Sequence, residues 1–99
     1  MDSFRYFLEC YFNCSTNYNE LNELIDEFKD TEKSSNVNKV ISELQSIINS
    51  KNLSIAQIYI KKYGMRNMDI DKVLLLVEFI LEKLIQKQRE NLDTNIFYK

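Results

Sequence analysis

Apolar residues recur at helical spacing in several separate stretches of the chain. The first stretch carries large side chains at i, i+3, i+4 and i+7, which places them on one face of a helix. They are Phe4, Phe7, Leu8 and Tyr11. Polar side chains from Asn13 to Asn17 compete with helical backbone hydrogen bonds, so this helix should end there. We expect the aromatic face to belong to the core.

The second stretch sets an apolar side against an acidic side. Asn17 stands three residues before Glu20, a spacing that resembles a capping box and predicts a helix start. At about 100° per residue, the apolar side chains between Tyr18 and Phe28 gather on one side. The carboxylates opposite them are Glu20, Glu23, Asp26, Glu27 and Asp30, which we call the acidic flank. Such a flank is typical of a solvated helix face and also of a docking surface.

Longer apolar stripes define the third and the last helices. The third stripe runs from Val37 to Ile48 and follows a polar linker in which Ser34 or Ser35 can cap the helix. The last helix should begin after Asp69, and it is apolar nearly all round, which favours a central position. The tail from residue 89 to residue 99 shows no clear period, and docking and fraying are both open for it.

The short fourth helix is predicted mainly from its ends. Ser54 and Gln57 have the spacing of a capping box, while Leu53 and Ile58 stand where a hydrophobic staple would pack. The helix should end before Gly64, which stands where a left-handed residue often closes a helix.

Composition fits an all-α, single-domain bundle of about five helices. The chain has 99 residues, no proline and one glycine, whereas β folds need many more turn residues. We expect a helical domain over residues 1–88 and a tail over 89–99. Residues 1–50 hold nine acids against four bases, and residues 51–99 hold six acids against nine bases. An acidic half would repel nucleic acid and attract a basic protein partner.

Reactive chemistry is hard to find in this sequence. There is no histidine and no glycine-rich phosphate loop, so we expect no metal, no cofactor and no enzymatic activity. Cys10 and Cys14 lack a second cysteine pair, and we interpret them as reduced thiols. No secretory leader or membrane span is visible, which predicts a soluble, cytoplasmic protein without a membrane partner.

Several short motifs resemble the immunity proteins of bacterial contact-dependent growth inhibition systems. An aromatic helix closes with Tyr11-Phe12, a polar turn and Tyr18 follow, and the next helix contains Ile25 to Phe28. Glu43-Leu44 in the third helix and Tyr63-Gly64 after the fourth match later parts of the pattern. The resemblance covers about residues 4–86.

This resemblance implies a small helical inhibitor that binds the C-terminal toxin domain of a cognate effector. Such toxins are often nucleases, whose grooves are basic because they bind phosphate. The acidic flank is the natural complement of a basic groove, and we expect Tyr18 and Asn13 to contribute neighbouring contacts. The inhibitor is expected to be monomeric and to bind no nucleic acid.

Two other function classes stay open. A helical adaptor or dimerisation module would use the same kind of surface without any toxin. A small DNA-binding regulator is suggested by the fourth helix, Gly64 and the last helix, which superficially follow a helix-turn-helix order. Asp69 and Asp71 at the start of the would-be recognition helix oppose that interpretation, because they would repel phosphate.

Overall fold

Five α-helices and one 3₁₀ helix make up the part of the chain that the structure describes. That structure is a computed structural model covering residues 1–15 and 17–97, without the side chains of Cys14 and of residues 86–97. The all-α single-domain bundle expected from the sequence is confirmed. In chain order the elements are α1 (Asp2–Cys10), the 3₁₀ helix (Phe12–Cys14), α2 (Tyr18–Thr31), α3 (Ser34–Ser50), α4 (Leu53–Tyr63) and α5 (Ile70–Phe97).

Aromatic rings from α1 and α2 meet in the core. The rings of Phe7 and Phe28 pack edge to face with 5.2 Å between their centroids, and the ring of Tyr11 meets Phe28 at 5.0 Å. This geometry suits aromatic quadrupoles and adds to the gain from burial. Phe4, Phe7 and Leu8 are fully buried and Tyr11 is half-buried, so the predicted aromatic core face is confirmed.

The last helix lies centrally, as its sequence predicts. α5 packs against α2, α3 and α4, while α1 packs mainly against α3 and α4. Val73, Val77 and Ile80 are fully buried, but Leu75 is 61% exposed. The backbone of α5 is helical up to Phe97, beyond the expected boundary at residue 88. The question whether residues 89–99 dock or fray was left open by the sequence, and it depends on side chains outside the described part of the chain.

Helix starts follow the local signals only in part. At α2 the side-chain Oδ1 of Asn17 accepts a hydrogen bond from the backbone N–H of Glu20 at 2.9 Å, which confirms the predicted cap. At α3 the predicted serine caps are wrong, because the helix already begins at Ser34. The residue at the cap position is Lys33, and its side chain forms no capping hydrogen bond.

The signals predicted for the start of α4 are also wrong, although the helix ends at Tyr63, before Gly64, as predicted. α4 begins at Leu53, one residue before the expected cap Ser54, and has no side-chain cap. The amide Nε2 of Gln57 instead donates to the backbone carbonyl of Met68 at 2.8 Å, which ties α4 to the segment before α5. Ile58 is 60% exposed, so no hydrophobic staple forms with it.

Gly64 is required for space and not for a left-handed conformation. Its φ is −95°, and Met65 next to it adopts the left-handed conformation with φ 57°. A Cβ atom at residue 64 would lie 2.7 Å from the carbonyl oxygen of Ile60 and 3.0 Å from the ring of Phe12. The 3₁₀ helix can therefore approach the end of α4 only because residue 64 has no side chain.

A carboxylate from α3 caps the start of α1. Glu43 accepts hydrogen bonds from the backbone N–H of Phe4 at 2.9 Å and from that of Ser3 at 3.3 Å. The N-cap residue of α1, Met1, provides no side-chain cap of its own. A negative charge at this position also interacts favourably with the helix dipole.

Candidate functional site

The acidic flank faces away from the core along α2. Leu21, Ile25 and Phe28 are buried on the opposite side of the helix, which packs against α5, α3 and the 3₁₀ helix. The flank residues are exposed except Glu20, which is half-buried. The sequence periodicity therefore gave the right orientation for these carboxylates.

Three flank carboxylates carry no compensating contact among the described side chains. They are Glu23, Asp26 and Glu27, whose carboxylates form no ion pair or hydrogen bond with any described side chain. Lys29 on the same helix donates a hydrogen bond to the backbone carbonyl of Lys83 on α5. At i, i+3 and i+4 spacing these like charges destabilise the helix by about 0.2–0.5 kcal/mol per pair. Glu23, Asp26 and Glu27 thus concentrate negative charge that no described side chain compensates.

Tyr18 and Asn13 occupy different surroundings from the flank. Tyr18 is 49% exposed, and its ring packs edge to face against Phe79 of α5 with 5.0 Å between centroids. The side-chain amide of Asn13 donates to the backbone carbonyl of Tyr63 at 2.7 Å. This bond ties the 3₁₀ helix to α4. No hydrogen bond joins either residue to a flank carboxylate within the described part of the chain.

A hydrogen-bonded cluster around a single carboxylate, that of Glu32, lies where α2 ends. Glu32 accepts hydrogen bonds from the hydroxyl groups of Tyr11 and Tyr6, each at 2.9 Å, and from the amide of Asn36 at 3.3 Å. These hydrogen bonds hold the pKa of Glu32 below its ordinary value, and the bond from Tyr11 has the largest effect. The bond to Glu32 raises the pKa of Tyr6 to about 12, and burial raises the pKa of Tyr11. The cluster joins α1 to the α2–α3 linker.

A groove of about 310 Å³ opens between the start of α2, the 65–69 segment and the start of α5. Two cations, Arg66 and Lys72, line it, and none of the described lining residues is acidic. We call it the cationic groove. Its apolar wall consists of Phe12, Tyr18, Leu21, Met68 and Leu76.

Arg66 is the side chain that joins this groove to the fold. It is half-buried, its guanidinium lies 5.4 Å from the centroid of the Phe12 ring, and Nη2 donates to the backbone carbonyl of Ser15. Nη1 reaches the carbonyls of Gly64 at 3.3 Å and Met65 at 3.5 Å. All of these acceptors are neutral, so the positive charge of Arg66 has no carboxylate partner among the described residues.

A neighbouring groove differs in charge. It has a volume of about 450 Å³ and is lined in part by Lys61 and Asp69, together with Gln57, Ile58, Asn67 and Met68. One cation and one carboxylate balance each other there. The net positive charge therefore distinguishes the cationic groove from the groove beside it.

No family model, curated protein or solved structure matches this chain. The resemblance to immunity proteins therefore stays a prediction that depends on the motifs quoted above. The fold and the two charged surfaces are the observations from which function can be argued.

Metal-ligand clusters and membrane-spanning helices are absent from the described part of the chain. No three side chains of His, Cys, Asp or Glu come together as a metal site would require. Cys10 is an exposed free thiol. No helix within the described ranges has the length and apolar content needed to cross a bilayer.

Sequence reasoning identified the acidic flank but missed the cationic groove. The flank lies on one helix, where spacing along the chain determines which side chains share a face. The groove instead joins residues far apart in sequence, such as Ser15 and Arg66. A lone arginine after Gly64 gives no local signal that it will lie against the ring of Phe12.

Proposed function

We propose that the protein is an immunity protein that binds and neutralises the C-terminal toxin domain of a contact-dependent growth inhibition effector. The acidic flank makes the charged contacts, and the toxin domain is a basic nuclease. The inhibitor acts by binding alone and performs no reaction of its own. The observation that carries this proposal is the exposure of Glu23, Asp26 and Glu27 on α2, whose carboxylates have no compensating partner among the described side chains.

The charge of the flank suits a partner with a nucleic-acid groove. A nuclease groove carries lysine and arginine because it neutralises phosphates. Opposed charges steer the two proteins together and can raise association rates toward about 10⁸–10⁹ M⁻¹s⁻¹ at low salt. Fast capture matters for an inhibitor that must act before the toxin cleaves its substrate.

Exposed apolar side chains provide anchors that charge alone would not supply. Tyr18, at the start of the same helix as the flank, is 49% exposed, and its ring is held edge to face against Phe79 of α5. Protein interfaces gain most of their binding free energy from a few such anchors, while surrounding charges set orientation and rate. An interface of standard size buries roughly 800 Å² per partner, which a bundle of this size can provide.

The adaptor or dimerisation function is the second candidate. The exposed apolar residues Ile58, Met65 and Leu75 favour it, since they would gain by burial against another chain. These residues would be used without the acidic flank. A charge change on the flank therefore separates the two candidates.

The test first searches the genes beside this one for a large secreted protein with a basic C-terminal domain, and then uses that domain as the binding partner. Glu23→Lys with Glu27→Lys should weaken binding at least about tenfold at low salt, which corresponds to about 1.4 kcal/mol. The salt dependence of the affinity should also become shallower, because fewer opposed charges remain. Calorimetry over a salt series measures both effects, and growth of cells that produce the toxin domain measures protection.

The chain offers a matched control on α5. Glu78 and Glu82 are also exposed and also stand at i, i+4, so Glu78→Lys with Glu82→Lys changes the net charge equally. This control should keep the affinity within about threefold. Equal loss in both double variants, or no loss in the flank variant across the salt series, would remove the flank from the interface. Failure of the unmodified protein to bind or protect would overturn the immunity function itself.

A further inference from the structure

We propose that the cationic groove binds a small aromatic carboxylate. In this assignment the ring of the ligand packs against the apolar wall and its carboxylate lies beside Arg66 and Lys72. The inference does not depend on the proposed immunity function, because it is argued from the cations and lining of the groove and not from the carboxylates of the flank; Tyr18 is the residue that the two surfaces share.

The charge of the groove determines the sign of the ligand. The charged residues that line the groove are Arg66 and Lys72, and no carboxylate from the described chain lines it. Arg66 makes its hydrogen bonds to backbone carbonyls, which satisfy donors without neutralising the charge. Its Nε–H and one Nη2–H have no acceptor among the described residues. A carboxylate matches the planar donor fork of arginine and supplies the missing negative charge.

The fixed position of Arg66 makes it suitable for recognition. Its guanidinium is held over the Phe12 ring and bonded to the carbonyl of Ser15, so the side chain is already ordered. Ordering a free arginine on binding would cost conformational entropy, whereas most of that cost is already met by the fold. Lys72 is exposed on the first turns of α5 and adds a second, adaptable cation.

The size and lining of the groove select the rest of the ligand. About 310 Å³ lies at the lower end of the range for small-molecule pockets, which run from roughly 300 to 1,000 Å³. That volume suits one ring with a short acidic chain and not a helix or a long peptide segment. The exposed face of Tyr18 offers an aromatic surface for stacking, and Met68 is an adaptable neighbour. Inorganic phosphate would leave this apolar wall unused.

The experiment uses 3-phenylpropionate as the probe against the full chain. Amide resonances of Tyr18, Asn67 and Lys72 should shift in a ¹H–¹⁵N titration, while those of Glu23 and Glu27 should not move. Two comparison ligands test the assignment, one without the negative charge and one without the apolar ring. The amide 3-phenylpropionamide and inorganic phosphate should each bind at least about tenfold more weakly, because each loses one of the two interactions.

Variants then test the two cations. Lys72→Gln alters an exposed side chain and should weaken binding of 3-phenylpropionate by about threefold to tenfold, with circular dichroism used to check the fold. Arg66→Gln should weaken it further, with circular dichroism used to check that the variant is folded. Lys39→Gln removes an exposed cation from α3 and should leave binding unchanged.

Three results would overturn the proposal. Equal affinity for the acid and its amide would show that the cations do not select charge. Unchanged affinity in Lys72→Gln, with resonance shifts outside the groove, would place the ligand elsewhere. Binding of a peptide ending in Phe-Asp, with no binding of 3-phenylpropionate, would assign the groove to a protein segment.

Discussion

Two groups of carboxylates in this small bundle have opposite roles. Glu43 and Glu32 are engaged by the fold, since the former caps α1 and the latter receives hydrogen bonds from two tyrosine hydroxyls. Glu23, Asp26 and Glu27 on α2 make no ion pair and no carboxylate hydrogen bond with the described side chains. All five residues lie in amphipathic helices or at the end of one.

The difference between the groups lies in distant residues and not in local charge pattern. Glu43 contacts the chain 39 and 40 positions away, and Glu32 contacts Tyr6 26 positions away. An engaged carboxylate stabilises the fold, whereas one without a compensating contact costs stability and is available to a partner. The sign of the stability change on removing a carboxylate should therefore separate the two groups.

The largest effect is expected at Glu43. Glu43→Ala removes the acceptor for two backbone N–H groups of α1 and should lower the free energy of unfolding by about 1–2 kcal/mol. Glu43→Gln keeps one acceptor oxygen and should lose less. Urea unfolding followed by circular dichroism measures both. The exposed neighbour on the same helix provides the control, and Gln45→Ala should stay within about 0.5 kcal/mol. Equal losses at residues 43 and 45 would break the comparison.

A smaller effect, visible as a pH dependence, is expected at Glu32. Because the folded state lowers the pKa of Glu32, its contribution to stability is present above the ordinary value of 4.5 and is lost as pH falls through the lower folded value. Glu32→Gln should melt at a lower temperature than the unmodified protein at pH 7. The difference should shrink as the pH falls below 4.5.

Melting temperatures between pH 7 and pH 3 test this expectation at Glu32. Glu82→Gln on the exposed side of α5 is the control, and its difference from the unmodified protein should not shrink in the same way. A constant difference for Glu32→Gln over the whole range would mean that the tyrosine contacts do not favour the charged carboxylate.

The smallest effect, of opposite sign, is expected on the flank. Glu27→Gln relieves repulsion from Glu23 at i, i+4 and should stabilise the protein by about 0.2–0.5 kcal/mol at low salt. In 1 M salt the gain should disappear, because the screening length falls to about 3 Å. Glu9→Gln gives the contrast, since Glu9 pairs with Arg5 at 2.8 Å and its neutralisation should lower stability. Loss of stability in Glu27→Gln would reveal an unrecognised stabilising partner and sink the proposal for the flank.

Features that depend on neighbours along the chain could be predicted from the sequence. The helix number, the aromatic core face of α1, the cap at Asn17 and the outward flank all follow from spacings of one to four residues. These spacings fix which side chains share a helix face or reach the next backbone N–H, whatever the rest of the chain does.

Features that depend on tertiary contacts could not be predicted. Ser54 and Gln57 have the spacing of a capping box, yet the amide of Gln57 reaches the carbonyl of Met68 on another segment. Gly64 follows a helix as a left-handed glycine would, yet its role is steric and involves the ring of Phe12. Leu76 also shows this limit, because it is buried at 2% exposure while its neighbour Leu75 is open to solvent.

The absence of a side chain at residue 64 has a consequence for the position of the Phe12 ring. One edge of that ring rests on Gly64, and the same ring lines the cationic groove and underlies Arg66. A methyl group at residue 64 would lie 2.7 Å from the carbonyl oxygen of Ile60 and 3.0 Å from the Phe12 ring, so the backbone or the ring would have to shift. The lining of the cationic groove thus depends in part on Gly64, a residue outside the groove lining.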